Sequence, residues 1–311
     1  MIPSLIQDIK LGLTSIKKMM FRDKKIWPIG TPYLKFSNVS KSNEAILKFN
    51  GSDNQEFNTI QYSFDNEVWE TASNYHINVG LISFTLQPNS GNVVYVRGIG
   101  NDSLFGFKFD ITGGEVECSG NIMSLLDYDI LPRQITTEHC FRGLFSDCSL
   151  VTAPELPATK LSLGCYEVMF QSCSLLKVAP KLPATTLAEE CYNGMFNACV
   201  SLSTSPELPA TTLANSCYSN MFMNCDSLKY APVLPALKLK SMCYASMFNG
   251  CDSLQYVKMM ATDVSANLCL NSWLNGVNTT SGTFIKNKDA TWDFPLNAGI
   301  PSGWTIQTAT S

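Results

Sequence analysis

Between residues 119 and 275 the apolar positions of this chain recur in register. Leu187, Cys191, Met195, Phe196 and Cys199 follow one another at steps of four, four, one and three. That spacing suits one face of an amphipathic helix. Ser201-Leu202 comes next, and Pro206 and Pro209 then exclude a continued helix and hold the chain extended. The pattern predicts one helix and one short strand per unit.

Eleven of the twelve cysteines share this register. Cys140, Cys165, Cys191, Cys217, Cys243 and Cys269 form one column, with a first step of 25 and four steps of 26. Cys148, Cys173, Cys199, Cys225 and Cys251 form a second, each eight residues after its partner. The short step has a local origin. Cys148 lies six residues before Pro154, whereas Cys173 lies seven before Pro180, so one connection lacks a residue. CYEVMFQSC, CYNGMFNAC, CYSNMFMNC and CYASMFNGC align directly, CFRGLFSDC is a variant, and LPAT-like segments precede them. A unit this small cannot bury its apolar face alone, so neighbours must stack. The expected result is a right-handed solenoid over 119–275, with the short strands forming a parallel sheet along one side.

The motif MFxxCxSLxxxPxLPATxL, held over five consecutive units, resembles the BspA-like leucine-rich repeats of gut Bacteroidota and their phages. The flanking SGNIMSLLDYD and SGTFIKNKDATWDFP…GIPSGWTIQTA look like entry and exit caps of that family, the latter within 276–311. The resemblance implies a surface-exposed, ligand-contacting or purely architectural array, and no catalytic activity.

Residues 33–118 show no helical period. Short β-rich runs at Tyr33–Ser37, Ala45–Phe49, Thr59–Phe64, Leu81–Leu86, Val93–Val96 and Phe105–Ile111 alternate with turn clusters. Such spacing predicts a β-sandwich over 29–118, immunoglobulin-like only as a guess at topology. Ile60–Phe64 and Glu67–Trp69 read as a hairpin turning at Asp65-Asn66, with Trp69 as a core anchor.

Residues 1–28 are different again. Ile2, Leu5, Ile6, Ile9, Leu13 and Ile16 approximate helical spacing, and 16–28 reads as strand, turn at Arg22-Asp23, strand. The piece resembles a short module near the N-termini of phage tail and fibre proteins, with Arg22 where that module usually has Gly. Six basic and two acidic residues give it a charge of +4, so the remaining 283 residues carry −8 of the net −4. This predicts an attachment device. Ile16, Met19, Phe21, Ile26 and Trp27 are the expected contacts. Lys17, Lys18, Lys24 and Lys25 would face an acidic surface or another copy of the chain.

The net charge of −4 offers no general attraction to nucleic acid or anionic lipid. No apolar run is long enough to span a membrane. Gln7, Asp8 and Lys10 interrupt the N-terminal apolar stretch, which argues against a secretory signal. Synthesis in a cytoplasm follows as an expectation, and with it reduced, buried cysteines.

Candidate chemistry is sparse. His139-Cys140 suggests a Cys–His dyad. The positions matching His139 hold Gly164, Glu190, Ser216 and Met242, so Cys140 reads simply as the first of its column. A C-x7-C spacing places both thiols too far apart on a helix to chelate one ion. No cofactor or metal is expected. Tyr166, Tyr192, Tyr218 and Tyr244 could stack a sugar or base, or could seal the layer as a ladder. Buried columns repeat because packing fixes them, whereas exposed ones are free to differ. The positions after the repeated Leu do differ: Lys177-Val178, Ser203-Thr204, Lys229-Tyr230 and Gln255-Tyr256. They are the candidate ligand face.

Together these readings give a multidomain α+β chain. The expected function is a non-enzymatic virion protein, a head or tail fibre held to other virion proteins through its N-terminus, with self-association into a homo-oligomer. Its outward array would touch a host-surface protein or glycan. The alternative is a cell-surface adhesin of a Bacteroidota bacterium.

Overall fold

The computed structural model describes residues 19–21, 24–27, 32–52, 57–277, 280–291 and 299–309. The chain divides into two compact units, Met1–Pro32 and Tyr33–Ser311. It is β-rich, and among the described residues no sheet closes into a barrel. In the first unit, β1 (Met19–Phe21) pairs antiparallel with β2 (Lys24–Trp27).

The second unit opens with two antiparallel-dominated sheets. Its strands are β3 (Leu34–Asn38), β4 (Ala45–Gly51), β5 (Ile60–Ser63), β6 (Glu70–Ala72), β7 (Ile82–Leu86), β8 (Val93–Gly98), β9 (Phe107–Gly113) and β10 (Val116–Ser119). One sheet runs β10-β3-β8-β5-β6 and continues through β10 into β11 (Leu150–Thr152); the other runs β7-β4-β9. Alternate residues point inward, as in β8, where Val94 and Val96 are fully buried between half-buried neighbours. Phe36 from one sheet meets Phe109 from the other, with ring centroids 5.0 Å apart. Two buried amides hold the surrounding loops. Asn38 donates to Asn43 O and Leu86 O and accepts from Ser40 and Glu115 N–H. Asn101 donates to Thr59 O and Leu125 O and accepts from Asn58 N–H. The expected hairpin is present with a longer turn. Asp65 Oδ1 accepts from the N–H groups of Glu67 and Val68, so β6 starts only at Glu70.

The helix expected in every repeat is absent. Among the described residues the helical segments are α1 (Asn74–Asn78), capped by Ser73, and a 3-10 turn at Ile122–Leu125. The repeats are chains of consecutive turns. In the segment 190–199 alternate amides bond backwards, as Asn193 N–H does to Glu190 O and Met195 N–H to Tyr192 O. The intervening amides donate to the next unit: Tyr192 to Cys217 O, Gly194 to Ser219 O, Phe196 to Met221 O and Ala198 to Met223 O. Every fourth residue is left-handed, here Glu190 (φ 56°), Gly194 (60°) and Ala198 (60°).

The physical reason lies in spacing. A helix satisfies its N–H groups internally and packs 8–10 Å from its neighbour. Here like rings of successive units lie far closer: Phe170 and Phe196 are 5.7 Å apart and within 2° of parallel. Only a chain that shares half its amides with the next unit can approach so closely.

The ladder begins inside the sheets. Phe109 of β9 stacks on Phe145 at 5.2 Å, and Phe145 on Phe170 at 5.5 Å. Leu104 and Phe109 N–H donate to Cys140 O and Leu144 O, so β9 and the loop before it act as the rung preceding the first repeat. One apolar core runs without a break from Leu34 to Trp304. At the far end β12 (Tyr256–Met259), β13 (Gly282–Lys286) and β14 (Trp304–Thr308) form a parallel sheet.

Candidate functional site

The buried columns show what the varied face is built upon. Cys140, Cys165, Cys191, Cys217, Cys243 and Cys269 are buried, as are the five cysteines of the second column and Cys118, and all twelve are free thiols. In the second column each S–H donates to a carbonyl one unit back, Cys199 Sγ to Phe170 O at 3.1 Å and Cys251 Sγ to Phe222 O at 2.9 Å. That same Phe170 O already accepts Cys173 N–H, so both lone pairs are used.

After each turn layer the chain runs one short extended step. Leu202 is buried, Ser203 and Thr204 point outward, and Ser203 N–H donates to Lys177 O of the unit before. Val178 bridges Thr204, Tyr230 bridges Tyr256, and Tyr256 pairs with Thr283 of β13, all parallel. Seven of the eight predicted ligand-face residues are exposed along this extended step, and Tyr256 is half-buried. Val178 is 56% exposed and Tyr230 62%. The rings of Tyr230 and Tyr256 stand 6.3 Å apart, tilted by 55°. Lys181, Glu207, Val233 and Lys258 form an adjacent outward column that the sequence reading missed. The signal was available, since the residue before each Leu-Pro pair varies as freely as those after the repeated Leu.

The other candidates fare differently. His139 occupies a left-handed position (φ 52°) packed over Gly164, with Nδ1 3.5 Å from Glu167 Oε2, which also accepts Arg142 Nε–H at 2.7 Å. Burial pushes the Cys140 thiol up to about 12, away from the thiolate a nucleophile needs. No cluster of three or more metal-ligating side chains occurs among the described residues. Tyr166, Tyr192, Tyr218 and Tyr244 are each 1% exposed and stacked on one another, so they seal the layer and offer no ring to a ligand.

Of the attachment candidates, Met19 and Phe21 lie in β1, and Lys24, Lys25, Ile26 and Trp27 in β2, with Met19 opposite Trp27 and Phe21 opposite Lys24. Ile16, Lys17 and Lys18 lie outside the described residues.

Trp69, expected in the core, is instead half-buried against a cation. The Arg97 guanidinium lies 3.8 Å from the Trp69 ring centroid and 4.0 Å from that of Tyr128, with Tyr33 as a third wall at 5.3 Å. Its Nε–H donates to Gln61 Oε1 at 2.8 Å. The cage is filled by the protein's own cation and pins the start of β3 to the loop after Leu126.

Comparison with protein-family models, with curated proteins and with solved structures returned no match.

Proposed function

We propose that this chain is a non-enzymatic structural protein of a bacteriophage particle, a head or tail fibre that holds a ligand-contacting array away from the particle. In this reading residues 1–28 attach to other virion proteins or to a second copy of the chain. Residues 29–118 form a β-sandwich spacer. Residues 119–275 form a leucine-rich-repeat-like solenoid, and 276–311 cap it. The carrying observation is the contrast between columns. Inward positions repeat as Cys, Tyr, Met and Phe, whereas the pairs Lys177-Val178, Ser203-Thr204, Lys229-Tyr230 and Gln255-Tyr256 lie on the outward extended step and no two pairs are the same. A scaffold that keeps its core and varies one face suits display.

The compact unit Met1–Pro32 supports the attachment role, because it concentrates positive charge in an otherwise acidic chain. The test is deletion of residues 1–28. The truncated chain should fold, retain its melting transition and fail to join purified particles. Incorporation at full occupancy would overturn the reading, and recovery of the intact protein only from bacterial outer membranes would favour the adhesin.

A further inference from the structure

The outward strand face carries a charge pattern opposite to that of the chain. From the second repeat onward its three outward columns hold Lys177, Lys181, Lys229 and Lys258 against Glu207, with Glu155 in the first repeat, in a protein of net charge −4. None of these lysines pairs with a carboxylate among the described residues, although Lys108, Lys238 and Lys288 elsewhere do. Tyr256 and Lys258 are two apart on β12 and so share a face, which places the exposed Tyr230 and its neighbour Tyr256 among the unpaired cations.

Spacing narrows the ligand. Lys177 and Lys229 stand in one column with Ser203 between them, so charge recurs at every second rung. Two rungs of a parallel ladder span roughly 10 Å, about the length of a disaccharide. A tyrosine ring offers an apolar surface with a polar tip, which suits the C–H face and hydroxyl rim of a pyranose. Lysine supplies a hydrated point charge without a bidentate demand, which suits a carboxylate on a flexible chain. A single-stranded nucleic acid would also stack on tyrosine, but its phosphates recur more closely than alternate rungs.

We infer that this face binds an acidic polysaccharide bearing a carboxylate on every second sugar, lying along the ladder with its sugars over Tyr230 and Tyr256 and its carboxylates at Lys177 and Lys229. The inference rests on the display role proposed above and names its ligand class.

Calorimetric titration of the full chain tests it, with a hyaluronan hexasaccharide, a chitin hexasaccharide lacking carboxylates, and oligothymidylate as probes. The acidic sugar should bind at least about tenfold more tightly than the neutral one, and about 0.5 M salt should abolish that preference. Lys177→Gln/Lys229→Gln should erase the preference and leave neutral-sugar affinity unchanged. Tyr230→Ala/Tyr256→Ala should weaken both sugars by about tenfold. All four side chains are outward, so unchanged melting curves report intact folding. Equal affinity for the two sugars, no heat with either, tighter binding of oligothymidylate, or indifference to the variants each overturns the inference. Both double variants keep residues 1–28 and should still enter particles, so a failure here is distinguishable from a failure of the attachment reading.

Discussion

Tyr192 and Tyr218 lie face to face, with ring planes 1° from parallel and centroids 5.7 Å apart, although 26 residues separate them along the chain. The contact exists because Tyr192 N–H donates to Cys217 O, which fixes the next unit's tyrosine directly beneath. Backbone and ring ladders thus reinforce each other at every step.

Phe196 is the most exposed to test of these contacts, since it stacks on Phe170 and Phe222 at 5.7 Å on either side. Phe196→Ala should cost about 3–5 kcal/mol by removing buried volume. Phe196→Leu, which keeps much of the volume, should cost clearly less. Urea unfolding of the two variants gives the ranking, and equal losses would mean that the ring column contributes little.

The strands and the repeat were legible because their signals are local: short β-rich runs between turn clusters, and Cys at fixed intervals. The turn layer was not. Steps of four differ from the helical 3.6 by little over eight residues, so Cys191, Met195 and Cys199 fit both. The discriminating signal was the residue type at some of the left-handed positions. Gly143, Asp147, Gly164, Gly194, Asn220, Asn224, Gly250 and Gly276 all sit there, spaced by four within a unit. Val168 at φ 47° and Glu190 at φ 56° obscured that signal, because non-glycine residues adopt this region at a cost that the ladder offsets. On the candidate face, variability was readable from aligned units, but the unpaired state of the lysines needed coordinates.

Gly164 makes the left-handed requirement testable. Its φ is +55°, and an added Cβ would strike the His139 imidazole. Gly164→Ala should destabilise by about 2 kcal/mol or more, combining backbone strain with the clash. Adding His139→Ala should recover only the clash. Full recovery in the double variant would show that the backbone conformation costs nothing there.

Asn38 is fully buried and serves five hydrogen bonds, including Ser40 Oγ–H to its Oδ1 at 2.6 Å. Asn38→Leu leaves several buried partners unmade and should cost at least about 3 kcal/mol. Ser42→Ala, on the exposed part of the same loop, should stay within about 0.5 kcal/mol. Chemical denaturation of both variants checks the contrast.

Burial pushes the thiols of Cys140, Cys148, Cys165, Cys199, Cys243 and Cys251 up to about 12 from an ordinary 9.0. The fold therefore binds these protons more tightly than the unfolded chain does. Their stabilisation is complete below about pH 9 and is lost as pH rises toward about 12, at up to about 1.4 kcal/mol per pH unit for each thiol. The urea midpoint should hold steady below about pH 8 and fall steeply by about pH 10. Replacing Cys140 and Cys165 by Ala should make that fall shallower. A slope unchanged by the replacement would assign alkaline unfolding to other groups.

The register itself predicts which deletions the array tolerates. Removing residues 192–217 joins Cys191 directly to Tyr218, and Tyr166 N–H still finds Cys191 O while Tyr218 N–H still finds Cys243 O. Every inward column then continues with one rung fewer. The shortened chain should fold, with a lower melting temperature because one unit-to-unit interface is gone. Removing residues 192–204 takes half a unit instead, and sets Cys191 before Ser205, so turn positions meet extended ones and the left-handed residues fall where no acceptor waits. Amides on both sides of the junction would lose their partners in the core. That variant should lose cooperative unfolding by circular dichroism, while the 26-residue deletion keeps it. If both variants melt alike, the stacked amides do not set the register, and side-chain packing alone must hold the units together.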